Sequence, residues 1–98
     1  MNRKSLRRML KVKLKVINQL GLHARAAAQL VRLAGCFQSK IELKRADNAV
    51  VADAKSILSV LTLAATKGTE LELQAAGADE KRALQAIKEI FLDGFGEL

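Results

Sequence analysis

The sequence predicts an α+β fold in which a four-stranded antiparallel sheet carries three helices on one face, in the order β-α-β-β-α-β-α. Three observations support this prediction: strand-like alternation of apolar and charged residues, apolar stripes with helical spacing, and glycines between the segments. Half of the 98 residues are apolar, which is enough for one domain to form a core. We therefore expect a single domain at residues 9–98, preceded by a basic extension at residues 1–8.

Four segments show the period of two that is typical of strands with one buried face. Lysines alternate with leucine and valine in the first segment, and glutamates alternate with leucines in the last, where Gln74 is predicted to lie on the exposed face. The turn-forming pair Asp47 and Asn48 separates the second segment from the third, so these two should pair antiparallel. The predicted strands are residues 10–16, 37–44, 49–52 and 69–75.

Three segments carry apolar residues at the i, i+3, i+4 spacing of amphipathic helices. The second of these helices is short and apolar, and either Ser56 or Asp53 is predicted to be its N-cap. Glycine residues follow all three segments, as is common at helix ends. The predicted helices begin at Ala24, Ile57 and near Ala78, and they end at Gly35, between Ala64 and Gly68, and at Gly94.

The net charge of +7 is very unevenly distributed along the chain. Residues 1–15 contain seven basic residues and no acidic ones, whereas residues 16–98 contain ten of each. Aromatic platforms for stacking bases are scarce, since there is no Trp or Tyr and only three Phe. Nucleic-acid binding would depend on the N-terminal arm alone and is disfavoured against a solvated tail followed by the lysine face of an exposed strand.

Cysteine and histidine are each present only once, as Cys36 and His23. An internal disulfide is thereby excluded, and the four ligands of a structural zinc site are lacking, so neither a metal nor a cofactor is expected. The basic N-terminus leads into lysine-interrupted alternation, which differs from the apolar run of a signal peptide. We predict a cytoplasmic protein without membrane insertion.

The segment from Gly21 to Arg25 places the lone imidazole, His23, at the start of a predicted helix, with a guanidinium two residues later. Neutral imidazole is a nucleophile at neutral pH. Free N–H groups at a helix start favour an added anion, and an arginine donates charge-assisted hydrogen bonds to phosphoryl oxygens. Residue chemistry alone also allows an exposed histidine without a special role, but it disfavours a hydrolytic triad.

Four motifs occur in an order that resembles a known family: residues 21–28, Lys55-Ser56-Ile57, Lys67-Gly68-Thr69 and Gly77-Ala78-Asp79-Glu80. Together they are similar to HPr, the phosphocarrier family of the bacterial phosphotransferase system, across about residues 10–92. The resemblance implies an open-faced β-sandwich. It leaves open whether the chain serves a sugar-uptake relay or the nitrogen-related branch of the system.

The resemblance also implies the roles of individual residues. Nδ1 of His23 would accept a phosphoryl group from enzyme I and pass it to IIA-type domains, beside Arg25 as the active-site arginine; this is group transfer, with no net catalysis by the chain alone. Ser56 matches a serine that a dedicated kinase modifies in some members. The alternative is therefore a regulatory docking protein controlled by phosphorylation at Ser56, with little or no transfer through His23.

Partner binding is predicted at mostly apolar positions around the histidine, and the chain is expected to be a monomer so that this face stays free. At least one residue of the apolar second helix is expected to belong to the core instead. The predicted partner-binding residues are Ala24, Ala28, Arg32, Ile57, Leu58 and Leu61.

Ala26 departs from the family pattern, which has proline after the arginine. Proline in the first helical turn sacrifices no needed hydrogen bond, and alanine suits a helix. We therefore expect the replacement to cost less than about 1 kcal/mol of stability. Its predicted effects are on the detail of the His23 loop and on the rate of transfer.

Overall fold

The computed structural model describes residues 9–98 and confirms the predicted order of elements. The basic extension predicted at residues 1–8 lies outside the described residues. A 3₁₀ turn, Gly94–Gly96, follows the last helix. The elements are β1 (Leu10–Lys15), α1 (Ala24–Ala34), β2 (Lys40–Arg45), β3 (Val51–Asp53), α2 (Ile57–Leu61), β4 (Glu70–Ala76) and α3 (Glu80–Leu92).

The four strands form one sheet in the order β1-β4-β2-β3, and every neighbouring pair is antiparallel. The central strand β4 contributes Leu71 and Leu73 to the core, as predicted, with 2% and 0% of their surfaces exposed. All three helices cover this same apolar face, because α3 packs on β1 and β4 while α1 packs against α2 and α3. Within residues 9–98, no helix is long and apolar enough to cross a bilayer.

Gln74 lies on the other face of β4, but the prediction that it is exposed is wrong. Only 9% of its surface is accessible. Its register partners are Lys11 on one side and Glu42 on the other, so long side chains flank it on the central strand. Its amide donates to Glu72 Oε1 at 2.5 Å, which satisfies the covered group.

Strand β2 begins at Lys40 and not at residue 37 as predicted. The backbone N–H groups of Gln38 and Ser39 donate to the Asp79 carboxylate at 2.9 and 3.0 Å instead of joining a strand. Strand β3 starts two residues later than predicted because Ala49 has a φ of 61° and belongs to the preceding turn. The alternation of apolar and polar residues therefore covers more residues than the strands that are hydrogen-bonded in the sheet.

Helix α2 ends at Leu61, at least three residues before the predicted end. Ala64 has a left-handed φ of 47°, so it cannot continue a right-handed helix. Nη1 of Arg45 donates to the carbonyl oxygens of Leu63 and Ala64 at 2.7 and 3.2 Å. This side chain from β2 thus satisfies two carbonyl groups in the loop just beyond the end of α2.

Helix α3 begins at Glu80 and not near Ala78, since Asp79 occupies the N-cap position without capping through its side chain. Its carboxylate accepts instead from the Ser39 hydroxyl at 2.5 Å and from two backbone N–H groups. These hydrogen bonds, the one from Ser39 first, lower the pKa of Asp79 to about 2. Asp79 thus joins the start of β2 to the start of α3.

Candidate active site and docking surface

His23 occupies the N-cap position of α1, as the sequence predicted, with an extended backbone at φ −73° and ψ 179°. Its carbonyl oxygen accepts the first helical hydrogen bond, from Ala27 N at 2.8 Å. Its imidazole remains 27% exposed. The helix start therefore presents a reactive ring to solvent beside N–H groups that have no intrahelical acceptor.

Asn18 fixes the loop that leads into this position. It is fully buried, and its Nδ2 donates to the Gly21 carbonyl oxygen at 2.9 Å and to Glu97 Oε1 at 3.0 Å. Both neighbours are acceptors, so only the amide nitrogen of Asn18 can face them. Its Oδ1 has no hydrogen-bond partner among the described residues.

Glu97 completes the site, although sequence analysis did not identify it. Its Oε2 lies 2.6 Å from His23 Nε2 and 3.0 Å from Arg25 Nη2. Hydrogen bonds from Asn18, then from His23 and Arg25, lower the pKa of Glu97 to about 2 despite its partial burial. At neutral pH this group is an ionised carboxylate that only accepts hydrogen bonds. No local pattern marks a partner 74 residues away in the chain.

The 3₁₀ turn after α3 carries Glu97 to the histidine. Gly94, Phe95 and Gly96 all have left-handed backbones, with φ of 60°, 55° and 74°. Phe95 is the only one of the three with a side chain, and its ring is 97% buried in an edge-to-face contact with Phe91, 5.0 Å between centroids. Ring burial holds a non-glycine residue in an unfavourable conformation and reverses the chain toward α1.

Arg25 lies beside the imidazole with 67% of its side chain exposed. One of its N–H groups binds Glu97, and a guanidinium has five such donors in total. The remaining donors face solvent next to the histidine. A partly exposed imidazole, an exposed cation and a helix start can receive an anionic group from outside the protein.

The residues of α2 predicted to bind partners are exposed: Ile57 by 38%, Leu58 by 74% and Leu61 by 37%. The expectation that at least one of them belongs to the core is wrong, because a five-residue helix buries only Val60. Leu20, 65% exposed just before the histidine loop, is a further apolar residue that sequence analysis did not single out. Among the other predicted positions, Ala24 and Arg32 are exposed and Ala28 is half-buried.

Ser56 is the N-cap of α2, where its Oγ accepts from Ser59 N at 3.2 Å. The alternative cap, Asp53, accepts from Lys55 N instead. Ser56 is half-buried and directly precedes the exposed Ile57. Among residues 9–98, no group of three or more His, Cys, Asp or Glu side chains is placed to hold a metal.

Comparison with known proteins gives consistent matches over most of the chain. A family model described as the PTS HPr component phosphorylation site matches residues 10–93. The phosphocarrier protein HPr of Neisseria meningitidis is 42% identical over 89 residues, which cover 91% of this chain and 98% of the relative. These matches and the fold define the class of this protein, a phosphocarrier.

Solved structures agree with this class. HPr-C-His from Thermoanaerobacter tengcongensis aligns with a TM-score of 0.86 at 34% identity, covering 92% of this chain and 99% of that one. A structure described as an HPr dimer from the same organism aligns with a TM-score of 0.71 at 35% identity, covering 88% and 97%. The chain belongs to the HPr family of phosphocarrier proteins of the phosphotransferase system.

Proposed function

We propose that His23 accepts a phosphoryl group from enzyme I and donates it to IIA-type domains, in the cytoplasm, as part of the phosphoenolpyruvate-dependent phosphotransferase system. The observation that carries this proposal is the partly exposed imidazole at the start of α1, with Arg25 beside it. It is the only histidine in the sequence, so no other imidazole competes for the role.

The transfer exchanges one bond to phosphorus for another. A lone pair on the ring of His23 forms a bond to phosphorus as the donor's bond to phosphorus breaks, and the reverse exchange passes the group on. Arg25 donates hydrogen bonds to the phosphoryl oxygens. The helix N-terminus adds about 0.3 to 1 kcal/mol in an exposed setting, which stabilises the group without holding it too tightly for release.

The test is incubation with enzyme I and labelled phosphoenolpyruvate, comparing the parent with His23→Ala. We expect label on the parent that is lost in acid, as phosphohistidine is, and no label on the variant. Gln29→Ala on the same helix is a control for the labelling itself. An unlabelled parent with a cognate enzyme I, or label that survives in His23→Ala, would contradict the proposal.

The exposed apolar residues of α2 and Leu20 support a docking surface for these partners, together with Ala24, Ala28 and Arg32. Apolar side chains stabilise an interface when they are buried away from water. Arg32 can form an ion pair with an acidic partner. We propose that the chain acts as a monomer, which leaves this surface free. Light scattering after size exclusion tests this, and a stable dimer at working concentration would refute it.

Phosphorylation of Ser56 by a serine kinase, reversed by a phosphorylase, is a second candidate function. Its support is the position of Ser56 at a helix N-terminus directly before the exposed Ile57 and Leu58. A phosphate is electrostatically favourable at a helix start, so it would alter docking more than folding. Phosphopeptide analysis of protein from its native cells tests this, and the His23→Ala variant separates it from histidine phosphorylation.

A further inference from the structure

The side chain of Glu97 is in direct contact with the proposed phosphoryl acceptor. We propose that Glu97 is a positioning residue that keeps the proton of the neutral His23 ring on Nε2, so that Nδ1 carries the lone pair that attacks phosphorus. This inference rests on the proposed function of His23 as the acceptor. It adds a residue that none of the sequence motifs contained.

The tautomer follows from the hydrogen-bonding partners. Glu97 is ionised at neutral pH, since its pKa is lowered to about 2, and a carboxylate donates no proton. A contact of 2.6 Å between Oε2 and Nε2 is therefore a hydrogen bond only if Nε2 carries the hydrogen. Because a neutral imidazole has a single N–H, Nδ1 is left as the acceptor and nucleophile.

Glu97 is itself held on several sides, so its contact with the ring is an ordered arrangement. Only 10% of its side chain is exposed. Its Oε1 accepts from the buried amide of Asn18, and Arg25 shares Oε2 with the ring. The buried ring of Phe95 anchors the turn that precedes Glu97 in the chain. A carboxylate fixed in this way restricts both the rotation and the protonation of the imidazole.

This arrangement lets the phosphoryl group move without any proton transfer at the ring. The Nδ1 lone pair becomes the bond to phosphorus, and it returns to Nδ1 when the group leaves. Nε2 keeps its proton through both steps and donates it in the hydrogen bond to Glu97. Positive charge that develops on the ring during the exchange lies next to the carboxylate, where it is stabilised.

Nitrogen NMR of the unphosphorylated protein, labelled in the histidine ring, tests the positioning role without enzyme I. At pH 8 we expect the parent to show a protonated Nε2 and an unprotonated Nδ1. In Glu97→Ala the two nitrogen shifts should move toward each other as the second tautomer becomes populated, and Glu97→Gln should largely restore them because an amide oxygen also accepts from Nε2–H.

The same variants are compared in phosphotransfer from enzyme I. We expect Glu97→Ala to lower kcat on the order of tenfold with little change in KM, as for loss of an orienting partner at other histidine sites. Asp93→Ala is the matched control, because it removes an exposed carboxylate four residues away; its ring spectrum and rate should equal those of the parent.

Two results would overturn the inference: a parent ring protonated on Nδ1, or a Glu97→Ala ring with unchanged nitrogen shifts. An unlabelled His23 in the parent would instead refute the proposed function, and the ring spectra would still decide whether Glu97 sets the tautomer. Thermal unfolding of Glu97→Ala shows whether a slower rate reflects loss of the folded state.

Discussion

Gly21 and Ala65 approach so closely that a β-carbon on Gly21 would lie 2.5 Å from the Ala65 carbonyl oxygen. The same carbonyl oxygen accepts from Leu22 N at 2.9 Å. Gly21 also has a φ of 70°, in the region that side chains disfavour. This contact packs the loop before His23 against the loop before β4, so glycine is needed there for two separate reasons.

We therefore expect Gly21→Ala to destabilise the protein by more than the roughly 1 to 2 kcal/mol of a left-handed alanine alone. Gly96→Ala is the control, because Gly96 has a φ of 74° but no atom within 4 Å of the added carbon. Urea unfolding measures both. Equal losses of stability in the two variants would mean that the backbone at Ala65 can shift to accommodate the added β-carbon without a free-energy penalty.

Replacing Ser56 separates its capping role from its docking role. We expect Ser56→Ala to lower the free energy of unfolding by about 0.5 to 2 kcal/mol, because Ser59 N loses its acceptor. Ser56→Asp should retain most of the stability, since aspartate is also a good N-cap. If the charge at this position controls docking, Ser56→Asp should raise the KM of enzyme I for this protein while Ser56→Ala does not.

Because the Asp79 carboxylate accepts several hydrogen bonds, we expect the fold to lose stability when this group is protonated at low pH. Its pKa is lowered from 3.8 to about 2, so its contribution is fully present above about pH 3.8 and is lost as the pH falls toward 2. Unfolding midpoints measured across this range should decline. Asp79→Asn should be less stable at pH 7 and should show a shallower decline, and Ser39→Ala should lie between it and the parent. If the unfolding midpoint of Asp79→Asn declined as steeply with falling pH as that of the parent, other carboxylates would be responsible for the decline.

Leu58 is expected to contribute to binding and not to folding, because 74% of it is exposed. Leu58→Ala should change the free energy of unfolding by less than about 0.5 kcal/mol. It should raise the KM for enzyme I roughly tenfold, which corresponds to about 1.4 kcal/mol of binding free energy. Leu92→Ala, at an exposed leucine on α3, is the control. Equal KM values for both variants would remove Leu58 from the docking surface.

Ala26→Pro tests the departure from the family pattern. The backbone N–H of Ala26 lies in the first turn of α1 and has no intrahelical acceptor, so the proline ring removes no helical hydrogen bond. We expect a gain of about 0.4 to 1 kcal/mol from the more restricted unfolded chain. Denaturant unfolding measures it. A loss of stability would show that the ring does not fit at this fully buried position.

Much of the architecture follows from the sequence because each periodic segment records which of its faces meets the core. Lysines at every second position identified β1, and the alanine-rich stripe placed the start of α1 at Ala24 and so placed His23 at a helix N-terminus. The same patterns were wrong at segment ends. Residues 37–39 alternate like a strand, but the N–H groups of Gln38 and Ser39 donate to the carboxylate of Asp79, which precedes α3.

Sequence alone determined the histidine, its arginine and the family motifs around them, since these are neighbours in the chain and carry local signals. Tertiary structure decided what holds the ring, because Asn18 and Glu97 are brought together across 79 positions and leave no periodic trace. It also decided that α2 exposes Ile57, Leu58 and Leu61, because burial depends on how many residues a short helix can turn toward the sheet. Local sequence patterns specify which face of a helix or strand is buried, and only tertiary packing specifies which distant residues contact each other.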